Sequence, residues 1–357
     1  MTILAPYQSP AAHDAWHAVQ SPGGYEWWYF DAEDPATDTQ VVVIFLEGFI
    51  WHAEYLRRHQ KYARKPTQHA PPFPCEYPCV YLCVYRGGKV LHQFMTQYKA
   101  EDFAASSTEV NVRIGPNTLT RDADGRLRVS IVGTPWSLTG RGPKTHQGQT
   151  LSAELVFSPQ LFHAPLQRTF LSQQMTGAEH RWIIANPLCS TIGAITLTTP
   201  ESRETIEFSG LGYHDHNFGT APLGPGLSRW IWGRVLMNDH VYSFHYAVPK
   251  DRNLMPEPHL VEGDFRALRD MPIQKVQAEW SGLSKMLLRY PKRLGFDDAL
   301  VMTNPKIVDD TPFYLRLTYD AVARGRRCRA FCEVAYPHRL RWPLLGRMVE
   351  MSIDKRI

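Results

Sequence analysis

The period of the apolar residues is the strongest constraint on this chain. From residue 40 to residue 335, hydrophobic side chains recur at alternate positions in run after run, and no stretch of twelve or more residues holds a strong 3.6-residue repeat. Side chains of an extended strand point alternately to opposite faces, so this pattern predicts half-buried strands. Residues 79–85 and 90–98 flank Arg86-Gly87-Gly88-Lys89, and residues 117–121 and 127–132 flank Asp122-Ala123-Asp124-Gly125; both read as β-hairpins. Further strands are predicted at 40–45, 151–158, 194–199, 205–209, 230–237, 241–248, 260–268, 275–282, 313–321 and 328–335. The helix candidates are short, at 53–63 and 284–294. The 27 prolines fit, since proline punctuates loops and blunts strand edges. The expected architecture is all-β, a barrel or sandwich with few short helices.

At roughly 150 residues per domain, 357 residues predict about two domains. Residues 249–258 hold three prolines, and a second set of strands follows them, so the expected division is 1–250 and 251–357. Hydrophobic residues are 43% of the chain and charged residues 21%, which excludes a disordered chain. The 39 Lys and Arg against 35 Asp and Glu leave a net charge of +4, with no basic block of the kind a nucleic-acid arm needs. The first twenty residues lack the basic-then-apolar order of a secretory signal, so a cytoplasmic protein is expected, and its six cysteines are expected to be reduced. Cys75, Cys79 and Cys83 are spaced by four and lack the C-x-x-C pairing of a zinc or iron–sulfur site. The longest apolar run, 41–46, is far short of the ~18 residues of a membrane span; peripheral contact with the inner face of a membrane stays open.

Three motifs carry candidate chemistry. In Gly23-Gly24-Tyr25-Glu26-Trp27-Trp28-Tyr29-Phe30-Asp31, alternation places Glu26, Trp28 and Phe30 on one face and Tyr25, Trp27, Tyr29 and Asp31 on the other. Glu26 among rings is either a desolvated carboxyl with a raised pKa or one half of a structural pair with an arginine. In Gly212-Tyr213-His214-Asp215-His216-Asn217-Phe218-Gly219, His214 and His216 share one face, and Tyr213, Asp215 and Asn217 share the other. If the histidines point inward they resemble a metal pair, but the first carboxylate after them is Asp239, so no third ligand lies close in sequence and no metal is expected. If Asp215 points inward, Tyr213, Asp215 and Asn217 form an acid–base set, or the aspartate only caps the loop before Gly219. In Trp230-Ile231-Trp232-Gly233-Arg234, Trp230, Trp232 and Arg234 share a face; the indoles either line an apolar cavity or pack structurally. No G-x-S-x-G, Walker A, G-x-G-x-x-G or H-E-x-x-H motif is present, which argues against serine hydrolase, nucleotide-binding and metalloprotease classes.

Together these motifs resemble the carotenoid 1,2-hydratase (hydroxyneurosporene synthase) family and its AttH-like lipocalin relatives. The resemblance rests on GGYEWWYFDA, on GYHDHNFGTAPL and on SRWIWGRV, and is clear over residues 21–248. Gly212, Tyr213, Asp215, Asn217, Phe218 and Gly219 match the family's central element, and Trp230 and Trp232 its Trp-x-Trp. His214 and His216 depart from it. The resemblance implies two consecutive lipocalin-like β-barrels and a reaction on the alkene of a hydrophobic carotenoid or other terpenoid, without metal or redox cofactor. Related fungal proteins are pericyclases, so a polyene cyclase and a non-catalytic carrier of hydrophobic ligands remain alternatives.

Hydration of a trisubstituted alkene begins with protonation to a tertiary carbocation, which water then captures. An acid still protonated near neutral pH is required, and a carboxyl in an apolar pocket meets that need. Asp215 is the candidate general acid, with Tyr213 and Asn217 orienting it or the water, and His214 and His216 as further candidates. Trp27, Trp28, Trp230 and Trp232 are expected to wall the pocket, with Glu26, Tyr29 and Arg234 as further substrate contacts.

Overall fold

The strand Tyr25–Asp34 sits at the centre of the molecule, paired antiparallel with Thr39–Glu47 on one side and with Arg203–Gly219 on the other. The computed structural model describes residues 13–139, 142–161 and 166–356. Strand accounts for 56% of the protein and helix for 11%, arranged as two curled half-barrel sheets, so the alternation in the sequence translates into an all-β, lipocalin-like fold.

Among the described residues the first sheet has thirteen strands. It runs from Lys89–Tyr98 through Cys79–Arg86 to the central pair, and on through His180–Thr198, Thr150–Pro159 and Leu127–Gly133. The second sheet has nine, with Leu227–Leu236 held between His240–Pro249 and Arg326–Ala335. The chain passes from the first sheet to the second across residues 220–226, between Arg203–Gly219 and Leu227–Leu236. The strand Asp354–Arg356 returns to the first sheet, pairing parallel with Lys89–Tyr98.

Both expected hairpins form. Gly87 and Gly88 have φ of 60° and 70°, the pair of positive angles that a type I′ turn needs. The helix expected at 53–63 is Ala53–Arg64, capped by the His52 side chain. The helix expected at 284–294 does not form. Ser284 Oγ accepts from the amides of Met286 and Leu288, Leu287 has φ of 59°, and Pro291 follows; short strands occupy the segment instead. A helix does form at Pro343–Met351. The six cysteines are unpaired.

Alternation along Tyr25–Asp34 divides the core. Trp28 and Phe30 belong to the first sheet's own interior, while Tyr25, Trp27 and Tyr29 face the second sheet together with Trp182, Tyr213, Trp230 and Trp232. Arg234 joins the two sheets there. It is 1% exposed and donates from Nε to Asp31 Oδ1 at 2.8 Å and from Nη1 to Glu33 Oε2 at 2.7 Å. Burial pushes the Asp31 carboxyl up to about 6 despite the adjacent guanidinium. Removing one member of a buried ion pair strands the other charge, at a cost of about 3–5 kcal/mol. Arg234→Met is expected to lose that much stability in urea unfolding, and Arg234→Met with Asp31→Asn to recover part of it.

Candidate active site

The Tyr25–Asp34 and Arg203–Gly219 strands pair Trp27 with Asn217, Tyr29 with Asp215 and Asp31 with Tyr213. Cross-strand partners share a face, so this register gathers the aromatic and acid–base residues towards the second sheet. His180–Thr198 adds Trp182 opposite Asn217. The second sheet brings Trp232 within 4.9 Å of the Tyr29 ring and 5.3 Å of the Tyr213 ring, and Trp230 stacks on Trp51 at 5.4 Å.

Asp215 is 2% exposed and surrounded by neutral donors. Trp182 Nε1 donates to Oδ2 at 2.8 Å, the Tyr213 hydroxyl to the same oxygen at 2.9 Å, and Asn217 Nδ2 to Oδ1 at 2.8 Å. Burial raises the carboxyl pKa, the Trp182, Tyr213 and Asn217 donors hold it back, and the Glu333 charge adds to the rise; the result is about 7. Such a group is a proton donor and a carboxylate in comparable amounts at neutral pH.

Asp215 and Asn217 form part of the wall of a cavity between the two sheets, together with Trp27, Tyr29, Trp230 and Trp232. The cavity holds about 1410 Å³ of space free of atoms, its open mouth included. Most of its wall is apolar, and one pole is polar. There Glu333 Oε1 accepts from the Tyr29 hydroxyl and from Arg316 Nε, each at 3.1 Å. Arg316 is also bonded to the hydroxyls of Tyr81, Tyr85 and Tyr314. Trp182, Arg316 and Glu333 were not among the residues expected from sequence. The signal for the last two was present: each is a charge inside an apolar strand run, in Tyr314–Ala323 and Arg326–Ala335.

Other expected site residues lie elsewhere. Tyr213 stands behind Asp215 rather than on the cavity wall. Arg234 is engaged by Asp31 and Glu33. Glu26, Trp28, His214 and His216 are on the opposite face of the strand pair, as alternation requires. His214 Nδ1 lies 2.9 Å from the Tyr29 carbonyl oxygen and Nε2 lies 3.0 Å from Asp14, while the ring stacks on Phe30 at 4.0 Å. His216 Nε2 lies 2.8 Å from Glu26 Oε1, and His17 Nδ1 lies 3.0 Å from the same oxygen. Burial disfavours charge on His216, but Asp14 and Glu26 outweigh it and push its pKa up to about 9.

The family model described as carotenoid hydratase CrtC matches residues 71–357, and the chain belongs to that family of hydratase-type enzymes. Over 316 residues it is 28% identical to a protein of Chlorobaculum tepidum named hydroxyneurosporene dehydrogenase, covering 85% of this chain and 79% of that one. It is 26% identical to the acyclic carotenoid 1,2-hydratase of Rubrivivax gelatinosus, covering 83% of this chain and 64% of that one. Two solved structures share the fold. A protein of Nitrosomonas europaea described as an AttH superposes with a TM-score of 0.63 at 14% identity, covering 94% of this chain and 99% of that one. The kievitone hydratase of Nectria haematococca superposes with a TM-score of 0.52 at 12% identity, covering 93% of each chain.

The donors around Asp215 stabilise its charged form, so removing one raises the pKa. Trp182→Phe is expected to move the Asp215 titration above the wild-type midpoint of about 7. The carboxyl stretching band in pH-difference infrared spectra reads this directly, and Asp215→Asn identifies the band. An unchanged midpoint in Trp182→Phe would remove the indole from the control of this proton.

Proposed function

We propose that the protein adds water across a C=C bond of an acyclic carotenoid or related terpenoid, with Asp215 as the general acid. The observation that carries this reading is a carboxyl with a pKa near 7, held by three neutral donors on the wall of a large apolar cavity. Both bonds from Trp182 and Tyr213 go to Oδ2, so Oδ1 is the oxygen that carries the proton to the substrate. The alkene π pair takes that proton onto its less substituted carbon and leaves a tertiary cation. The π faces of Trp27, Trp230 and Trp232 stabilise the cation, each by about 0.5–2 kcal/mol. Glu333, fixed by Tyr29 and Arg316, accepts a hydrogen bond from the attacking water. The water oxygen forms the new C–O bond, and the proton it loses returns to the Asp215 carboxylate. The cycle closes with no redox step.

Incubation with an acyclic carotenoid in detergent, followed by mass analysis, tests this. A product heavier by one water is expected. Rearrangement without mass change points to a cyclase, and retention of unaltered ligand to a carrier. Asp215→Asn keeps the shape of the side chain and removes its transferable proton, so turnover should fall by about 10²- to 10⁴-fold with the melting temperature retained. Because only the protonated acid donates, kcat should fall as pH rises through about 7. A folded, fully active Asp215→Asn protein would overturn the mechanism.

We further propose that the substrate reaches the cavity from lipid at the inner face of a membrane. Met286, Leu345 and Met348 line the cavity, and the neighbouring Leu287, Trp342 and Leu344 are exposed. Arg339 fastens the two segments by donating to the Met286 and Leu287 carbonyls at 2.9 and 2.7 Å. Exposed Lys285, Arg341 and Arg347 add positive charge suited to anionic headgroups. No helix among the described residues is long and apolar enough to cross a membrane. The protein should cosediment with anionic vesicles, and Trp342→Glu with Leu344→Glu should abolish this while leaving turnover of detergent-dispersed substrate unchanged. Equal cosedimentation of the double variant would place the contact elsewhere.

A further inference from the structure

The face of the strand pair turned away from the cavity holds a second polar centre that the hydration chemistry does not use. Glu26 and Glu47 are direct cross-strand partners, both fully buried. Burial, opposed by the Trp16 hydrogen bond and reinforced by the Glu26 charge, pushes the Glu47 carboxyl up to about 8, while Glu26 is held below the ordinary carboxylate range, so Glu26 is the charged member of the pair. Each also has one carboxylate oxygen, Glu26 Oε2 and Glu47 Oε1, buried with no hydrogen-bond partner. Trp16 Nε1 donates to the other Glu47 oxygen at 2.6 Å. Buried oxygens of this kind are ordinarily satisfied by a hydrogen bond, a water or an ion.

Two imidazoles converge on the same place. His17 Nδ1 and His216 Nε2 lie 3.0 and 2.8 Å from Glu26 Oε1, and one ligand atom from each of the three residues falls within 4.8 Å of the others. Zinc–nitrogen and zinc–oxygen bonds of about 2.0–2.1 Å at tetrahedral angles set neighbouring ligand atoms roughly 3.3 Å apart, so the two separations from Glu26 Oε1 need to open by a few tenths of an ångström, while the His17 backbone N–H, which donates to the same oxygen at 2.7 Å, stays in place. The surroundings fit as well. His216 Nδ1 lies 3.5 Å from Asp14 Oδ1, outside hydrogen-bond geometry but near enough for that carboxylate to close onto the nitrogen, as carboxylates commonly do behind metal-binding histidines. Trp28 stacks on His216 at 4.5 Å and Phe218 on His17 at 4.1 Å, which fixes both rings. The His17 side chain is 24% exposed, which gives an ion a way in and leaves room for a water as fourth ligand.

We infer that His17, Glu26 and His216 form a binding site for a divalent cation of the zinc class. The pair of histidines two apart in sequence is not the ligand pair, since His214 is engaged by Asp14 and the Tyr29 carbonyl. The ion is a staple rather than a reactant. It fastens the segment around His17 to the two strands whose other faces carry Tyr29, Asp215 and Asn217, and it does not touch the cavity. Binding displaces protons from the histidines and adds to folding stability.

The test needs no substrate and is independent of the proposed reaction. Full-length protein stripped with a chelator is titrated with Zn²⁺ by calorimetry and with Co²⁺ by visible absorption, and its melting temperature is followed. One equivalent of Zn²⁺ per chain, a rise in melting temperature and a Co²⁺ spectrum of a low-coordinate nitrogen–oxygen site are expected. His17→Gln, at a partly exposed position, should abolish all three; Asp14→Asn should weaken binding by about 10- to 100-fold. His69→Gln, an exposed histidine elsewhere, should match wild type. The proposal is overturned if wild type shows no saturable equivalent, or if His17→Gln and Glu26→Gln bind Zn²⁺ as tightly as wild type does.

Discussion

The antiparallel register between Tyr25–Asp34 and Arg203–Gly219 is the constraint on which both polar centres depend. Trp27 opposes Asn217 and Tyr29 opposes Asp215 on one face; Trp28 opposes His216 and Phe30 opposes His214 on the other. A slip of one residue would exchange the faces and bury the histidines in the cavity wall. Glycines at both ends of the central motif secure the close packing. A Cβ on Gly212 would lie 2.3 Å from Thr191 Oγ1, and one on Gly219 would lie 2.5 Å from His180 Nδ1. The glycines that bracket Tyr213 to Phe218 are thus places where neighbouring side chains press onto the backbone.

The cavity follows from how the two half-barrels meet. The interior of each sheet is filled by its own side chains, around Phe30, Phe45 and Phe157 in the first and Phe244, Phe296 and Leu317 in the second. Space remains where the convex aromatic faces approach each other, with Arg234 fixing the separation through Asp31 and Glu33. A ligand between two sheets is walled by residues distant in the chain, so Glu333 and Tyr29, 304 residues apart, meet at one hydrogen bond.

This explains which parts were legible in the sequence. Strand alternation is local, so the all-β class, the hairpin at Gly87-Gly88 and the opposed faces of Tyr213 to Asn217 could be read directly. The segment 284–294 misled because its apolar spacing suits a helix, whereas Ser284 and Pro291 decide its backbone. Arg316 and Glu333 are charges in otherwise apolar strands, and only tertiary pairing tells an inward charge from a solvated one. Nothing near His216 in the sequence points to Glu26 and His17, which the fold brings beside it from about two hundred residues earlier, Glu26 on the adjacent strand and His17 in the segment that precedes that strand.

The buried carboxylates of this strand pair also show that burial alone does not set protonation. Asp14, Glu26 and Asp215 are all hidden from solvent, and desolvation is the largest effect on each. Yet Asp14 and Glu26 are held below the ordinary carboxylate range, while Asp215 rises to about 7. The difference lies in the partners. Desolvation raises Asp14 and Glu26 as well, but the hydrogen bonds and charge attraction of the imidazoles beside them together outweigh it. Asp215 receives only neutral dipoles from an indole, a phenol and an amide, which orient the carboxyl but recover part of that penalty. Burial without a cationic partner is therefore what keeps Asp215 an acid at neutral pH, the neutral donors offsetting only part of that rise, and a protonated histidine moved to its face would cancel the property.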